Sequence, residues 1–263
     1  MTAPARSLGD HLRIWRQRRH MSQLDLALEA EISQRHLSFI ESGRSTPSRE
    51  MLLHLAERLD VPLRERNGLL LAAGFAPVFS ERPLSDPALG PARKAIDMVL
   101  KGHEPFPALA IDRHWTLIAA NAALPPLLEL VEDAVLLSPP VNVLRLSLHP
   151  NGLAGSIANL AEWRAHLLDR LRHQIGISGD DTLAGLLNEL QAYPSPAPAV
   201  HAVQDYGGIA VPLRLHTKIG ILSFISTTTV FGTPIDVTLS ELAVESFFPA
   251  DDETARILRD IAR

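Results

Sequence analysis

The 263-residue chain has no cysteine, which excludes disulfides, thiolate metal sites and cysteine nucleophiles together. Aromatic residues are scarce at 5%, so Leu and Ala must supply most of any core. No run approaches the roughly eighteen apolar residues that a membrane span requires. The first twenty residues carry Arg6, Arg13, Arg16, Arg18 and Arg19 with no apolar block behind them, which is not the pattern of a signal peptide. No phosphate-binding loop, dinucleotide fingerprint, serine-nucleophile elbow or zinc-binding helix pattern occurs. The eleven histidines are scattered, and His166 and His173 lie two helical turns apart without acidic partners at ligand spacing. These absences lead to the expectation of a soluble cytoplasmic protein with no metal, no cofactor and no catalytic residues.

What is present points to two domains, since the chain exceeds the usual size of one. Hydrophobic residues at 46% and charged residues at 21% are ordinary for a chain that buries a core. Net charge is −5, but it is unevenly spread. Residues 1–75 hold eleven Arg and no Lys against nine Asp or Glu, a balance of +2; the remainder is −7. Neutralising phosphates is a local requirement, so a basic head on an acidic body suits a small DNA-contacting domain.

Five short helices are predicted between residues 7 and 74. Leu8, Leu12 and Trp15 recur at helical spacing and give the first helix one apolar stripe. Ser22, with Asp25 three residues on, forms a capping-box pattern for a second helix that turns Leu26, Ala27 and Ala30 inward. Ser33 caps a third helix to about Ser42, with Leu37 and Ile40 inside and Gln34, Arg35, His36 and Ser38 outside; Gly43 ends it. Ser48 caps a fourth, and a fifth runs from Pro62 to Gly74. A capped helix, a tight turn and a second capped helix make a helix-turn-helix, whose second helix enters the major groove N-terminus first. Gln pairs with adenine and Arg with guanine, so polar side chains at that helix start are what base reading demands. Gln23, opening the helix before it, is placed for a phosphate oxygen.

The run from Leu8 to Pro47 resembles the Cro/repressor-type (XRE) helix-turn-helix family, agreeing at Ser22-Gln23, Leu26-Ala27, Ser33 and Glu41-Ser42-Gly43-Arg44. The resemblance implies an ion pair between Arg16 and Glu41, and base contacts at Gln34, Arg35 and, further along, Phe39. The expected DNA-binding set is Gln23, Ser33, Gln34, Arg35, His36, Ser38, Phe39 and Arg44. For Phe39 two roles stay open: core packing, or an apolar contact to a thymine methyl. Glu31 and His20 stand where the family usually has glycine; a non-glycine residue at positive φ costs on the order of 1 kcal/mol.

Residues 76–92 are rich in Pro, Ser and Gly and read as a linker, leaving 1–75 as the first domain and 93–263 as the second. In the second domain, helices are predicted near 92–101, 121–131, 155–175, 181–191 and 253–261. Strands are predicted near 106–112, 115–119, 209–216, 220–231 and around Val237. Helices on an antiparallel sheet make an α+β domain. Asn142-Val143-Leu144-Arg145 with His149-Pro150, Leu186 to Leu190, Phe231-Gly232-Thr233-Pro234 and Phe247 to Asp251 resemble the MmyB-type ligand-binding domain. That resemblance implies a PAS-like fold around an apolar cavity, with a fatty acid or other lipid-like molecule as the ligand. Trp115, Leu117, Leu213, Leu215, Phe224 and Phe231 are the candidate lining, and Arg145 or His149 the candidates to meet an anionic head; for Arg145 the other reading is structural, tying a loop to a carboxylate.

The combined expectation is an all-α five-helix helix-turn-helix domain followed by an α+β PAS-like sensor. It would bind double-stranded operator DNA as a homodimer, sense a small apolar ligand and stay clear of membranes. The competing readings are an enzyme tethered to DNA, or an antitoxin-like module that uses the same head for a protein partner.

Overall fold

The computed structural model describes residues 7–194, 210–231 and 236–262. They divide into two units: residues up to Arg82 together with a short later segment around 236–240, and the rest.

The first unit holds α1 (Leu8–Arg18), α2 (Gln23–Glu29), α3 (Gln34–Glu41), α4 (Arg49–Arg58) and α5 (Leu63–Ala72). Local chemistry sets each start. Ser22 and Ser33 accept hydrogen bonds from Asp25 N and His36 N, Ser48 accepts from Met51 N, and Ser7 and Ser22 each complete a capping box. The turns close in the left-handed region at His20 (φ 55°) and Glu31 (φ 54°), the two positions where glycine was missing, as well as at Gly43 and Gly74. Leu12, Leu26, Leu37, Leu52, Leu55 and Leu70 are fully buried, each worth about 1.5–3 kcal/mol of transfer free energy. Gly9 lets α1 approach the end of α3, because a Cβ there would lie 2.2 Å from the Glu41 carbonyl oxygen. The chain past α5 is fastened by Asn67, whose side chain bonds the backbone of Val78 and Phe79. The turn Val237–Ser240 also belongs here: it packs on α5, and Val237 N donates to Ser80 O at 2.7 Å.

The second unit is an α+β domain. In chain order it contains α6 (Gly90–Gly102), β1 (Ala108–Ile111), β2 (Leu117–Ala120), α7 (Pro125–Leu128), α8 (Val143–Leu148), α9 (Leu160–Ser178), α10 (Asp181–Ala192), β3 (Leu213–Thr217) and β4 (Gly220–Val230). The turn at 237–240, now α11, separates β4 from β5 (Ala243–Pro249), and α12 (Asp252–Ile261) follows. The five strands form one antiparallel sheet in the order β2-β1-β5-β4-β3. Helix α9 turns Trp163, Leu167 and Leu171 into a core shared with Leu215, Leu222 and Phe224 of the sheet. Asn121 is buried and ties three segments, accepting from Ala108 N and donating to Leu100 O and Phe106 O.

Two expectations fail here. The segment at Val237 is a helical turn, because the Asp236 carboxylate accepts from Thr238 N and caps it; the missing strand is β5, further on. The helix foreseen over 121–131 shrinks to α7, since Pro125 and Pro126 allow a helix only from that point. The strand start foreseen at 209 lies outside the described residues.

Candidate nucleic-acid interface and apolar cavity

The first unit leaves the expected polar residues of α3 wholly or partly exposed. Gln34 and Arg35 open α3 and are exposed, as are Ser33 before them and Arg44 after the helix; His36, Ser38 and Phe39 are half-buried. The Phe39 ring is near two guanidinium groups, 5.3 Å from that of Arg35 and 5.9 Å from that of Arg44. It is therefore a half-covered surface ring that keeps two cations in place.

Beneath this face, α3 is anchored by charge. Glu41 is 3% exposed and receives both arms of Arg16, at 2.7 and 2.9 Å; Gln23 donates to the same carboxylate at 2.8 Å. Burial pushes the Glu41 carboxyl up, but the bonds from Arg16 and Gln23 and the nearby charges of Arg16 and Arg13 outweigh it and hold the group below its usual range. Arg13 donates to the Glu41 carbonyl at 3.0 Å, the same atom that Gly9 must accommodate. Sequence reasoning paired Arg16 with Glu41 but missed Gln23 as a third member. Gln23 is thus partly committed inside the protein.

In the second unit a cavity of about 90 Å³ is walled by Leu109, Leu124, Leu144, Leu167 and Phe247 and by further apolar side chains. Trp115, Leu117, Leu213, Leu215 and Phe224 from the expected set are all in this wall. Arg145, His149 and Phe231 do not line the cavity. Arg145 spends its fork on Glu189, at 2.7 and 2.8 Å, and Glu189 also accepts from the Tyr193 hydroxyl. Burial and then Glu189 push that phenol up to about 12. His149 ends α8 and meets the Tyr193 ring edge-on. The charged residues that do reach the cavity are Arg170 and Glu245, which sequence reasoning missed because they are 75 positions apart. A wider, open groove of about 690 Å³ lies nearby and shares the Leu127 wall.

No curated protein matches this chain. An RNA-binding light-oxygen-voltage receptor of known structure is similar at 14% identity over 97% of this chain and 62% of the receptor's length; its TM-score of 0.26 is too low to carry an argument. Residues 12–66 match the helix-turn-helix family, in agreement with α1 to α5 and their XRE-type features. Residues 92–261, well over half the chain, match the MmyB-like transcription regulator ligand binding domain, so the chain belongs to that family and is a DNA-binding transcription regulator with a ligand-binding domain.

Proposed function

We propose that the protein reads a specific operator through Gln34, Arg35, Phe39 and Arg44, with Ser33, His36 and Ser38 supporting and Gln23 touching phosphate. In this reading the second unit senses a small apolar, fatty-acid-like molecule in the cavity lined by Trp115, Leu117, Leu213, Leu215 and Phe224. The carrying observation is the exposed polar start of α3, Gln34 and Arg35, held on a rigid ion-paired base. Such a rod meets base edges without reorganising first. The cavity supports the sensing half. At about 90 Å³ it has room for about three water-sized groups, so a chain-like ligand must push its walls apart. A ligand that enters by moving walls favours a second state of the domain, which is what a sensor needs. The protein works in this reading as a cytoplasmic homodimer and not as an enzyme.

The test has two arms. Selection from random duplexes with the purified protein should yield one enriched motif, and mass spectrometry of its organic extract should find an aliphatic ligand. Adding that ligand should change operator affinity at least about fivefold. Random duplexes bound without enrichment would remove the DNA-reading half; an affinity indifferent to ligand would remove the sensing half.

A further inference from the structure

The apolar cavity has one charged feature. Arg170, on α9, donates to Glu245 of β5 at 2.6 and 3.3 Å and to the Thr228 hydroxyl of β4 at 2.8 Å, and Thr228 donates in turn to Glu245 at 2.7 Å. The Glu245 side chain is 6% exposed and that of Arg170 26%. A buried ion pair seldom stabilises a fold more than apolar residues of the same volume would, so its presence in an otherwise apolar wall needs another reason. The guanidinium is also stacked 4.8 Å from the Trp115 ring. Trp115 holds a φ of 66°, a conformation that costs a bulky side chain about 1–3 kcal/mol and that gathers at ligand clamps.

The donors around this point are nearly all spent. The Trp115 indole N–H bonds Gln174 at 2.8 Å and that of Trp163 bonds Ser147 at 3.0 Å. Arg170 retains its Nε–H and one Nη1–H without an acceptor among the described residues. Its charge, however, is already balanced by Glu245. A carboxylate arriving there would leave two negative groups beside one cation in apolar surroundings, which is strongly disfavoured. His166 does not offset this: burial first, and then Arg170, hold its imidazole below the usual range against the opposing pull of Glu245 and Asp169.

We propose that Arg170 and Glu245 form the head-group end of the ligand site, and that they select an aliphatic molecule with an uncharged oxygen acceptor. Esters, alcohols, ketones and carboxylic acids that keep their proton belong to this class; ionised carboxylates do not. Arg170 supplies the N–H donors, Glu245 is the charge filter, and Trp115 holds the guanidinium in place. The assignment rests on the sensing reading given above.

The experiment uses the full-length protein, stripped of lipid, with dodecanoic acid, methyl dodecanoate and dodecan-1-ol as probes and tryptophan fluorescence as the readout. The ester and the alcohol should bind with the same affinity from about pH 6 to about pH 8.5. The acid should weaken by about tenfold per pH unit over that range, following its protonated fraction. In Glu245→Gln the acid should bind at least about tenfold tighter at pH 8 and lose most of its pH slope, with the ester changed by less than about twofold. Arg170→Gln should weaken the ester about tenfold. If the wild-type protein binds acid and ester equally at pH 8, or the acid more tightly, the filter is refuted without recourse to any variant. Binding of all three probes regardless of head group or pH overturns this assignment alone, while no binding of any probe overturns the sensing reading with it.

Discussion

Arg35 and Phe39 are one turn apart on α3, and their separation of 5.3 Å makes the ring a support for the guanidinium. Arg35→Ala should cost about 1–3 kcal/mol at the cognate operator and relax base choice there, with little effect on random DNA. Competition binding against both duplexes measures this, and an equal loss on each would assign Arg35 to phosphate. Below that face, Glu41 carries the residue-scale stability. Glu41→Ala leaves the buried Arg16 charge without its partner and should cost about 3–5 kcal/mol in denaturant unfolding. The sign with pH follows from the direction of its shift. A carboxyl held low in the folded state contributes fully above its unfolded value, and that contribution is lost as pH falls through the lower folded value. Acid should therefore melt the helical unit below the ordinary carboxylate range, and Glu41→Gln should flatten that dependence. Gly9 belongs beside these residues: no side chain fits against the Glu41 carbonyl, yet nothing in its own neighbourhood of sequence reveals it.

Among the elements, α11 has the most unexpected placement. Its residues follow β4 in sequence, but Val237 is 0% exposed within the first unit, and Thr238 donates to the Arg82 carbonyl at 2.6 Å. Val237→Ala should therefore loosen α5, a helix more than 160 positions earlier, by about 2 kcal/mol. Amide hydrogen exchange should show faster opening of α5 while α2 and α3 change less. Unaltered exchange throughout α5 would mean that α11 contributes nothing to the unit. The reading of Val237 as a strand went wrong because β-branched residues favour strands, whereas a local carboxylate cap decided the matter. The reverse error hid β5, whose apolar pattern is interrupted by Glu245, a charge that is tolerated only because Arg170 and Thr228 reach it.

At the scale of the whole molecule, the head carries a balance of only +2, and in the proposed reading a single recognition helix reads few bases. The homodimer proposed above would place two such heads on one face of DNA. Sedimentation should find a dimer on a duplex carrying two half-sites about 34 Å apart, with a single half-site bound at least about a hundredfold more weakly. A monomer that binds the full operator with undiminished affinity would contradict this. No helix among the described residues is long and apolar enough to cross a membrane.

What the sequence determined by itself is whatever depends on near neighbours. Serine caps at 22, 33 and 48, the glycine stops, the proline limits and the apolar stripes act within a few residues, so the five helices and their polar leading face were legible. Family resemblance extended this to Arg16 with Glu41 and to the class of the second domain. Only the tertiary structure decided which charges meet: Arg145 went to Glu189 and away from the cavity, while Arg170 went into the cavity with Glu245. Partners separated by 44 and 75 positions are chosen by how the sheet and helices fold over one another. Periodicity states which face of an element is apolar, but not what stands opposite it.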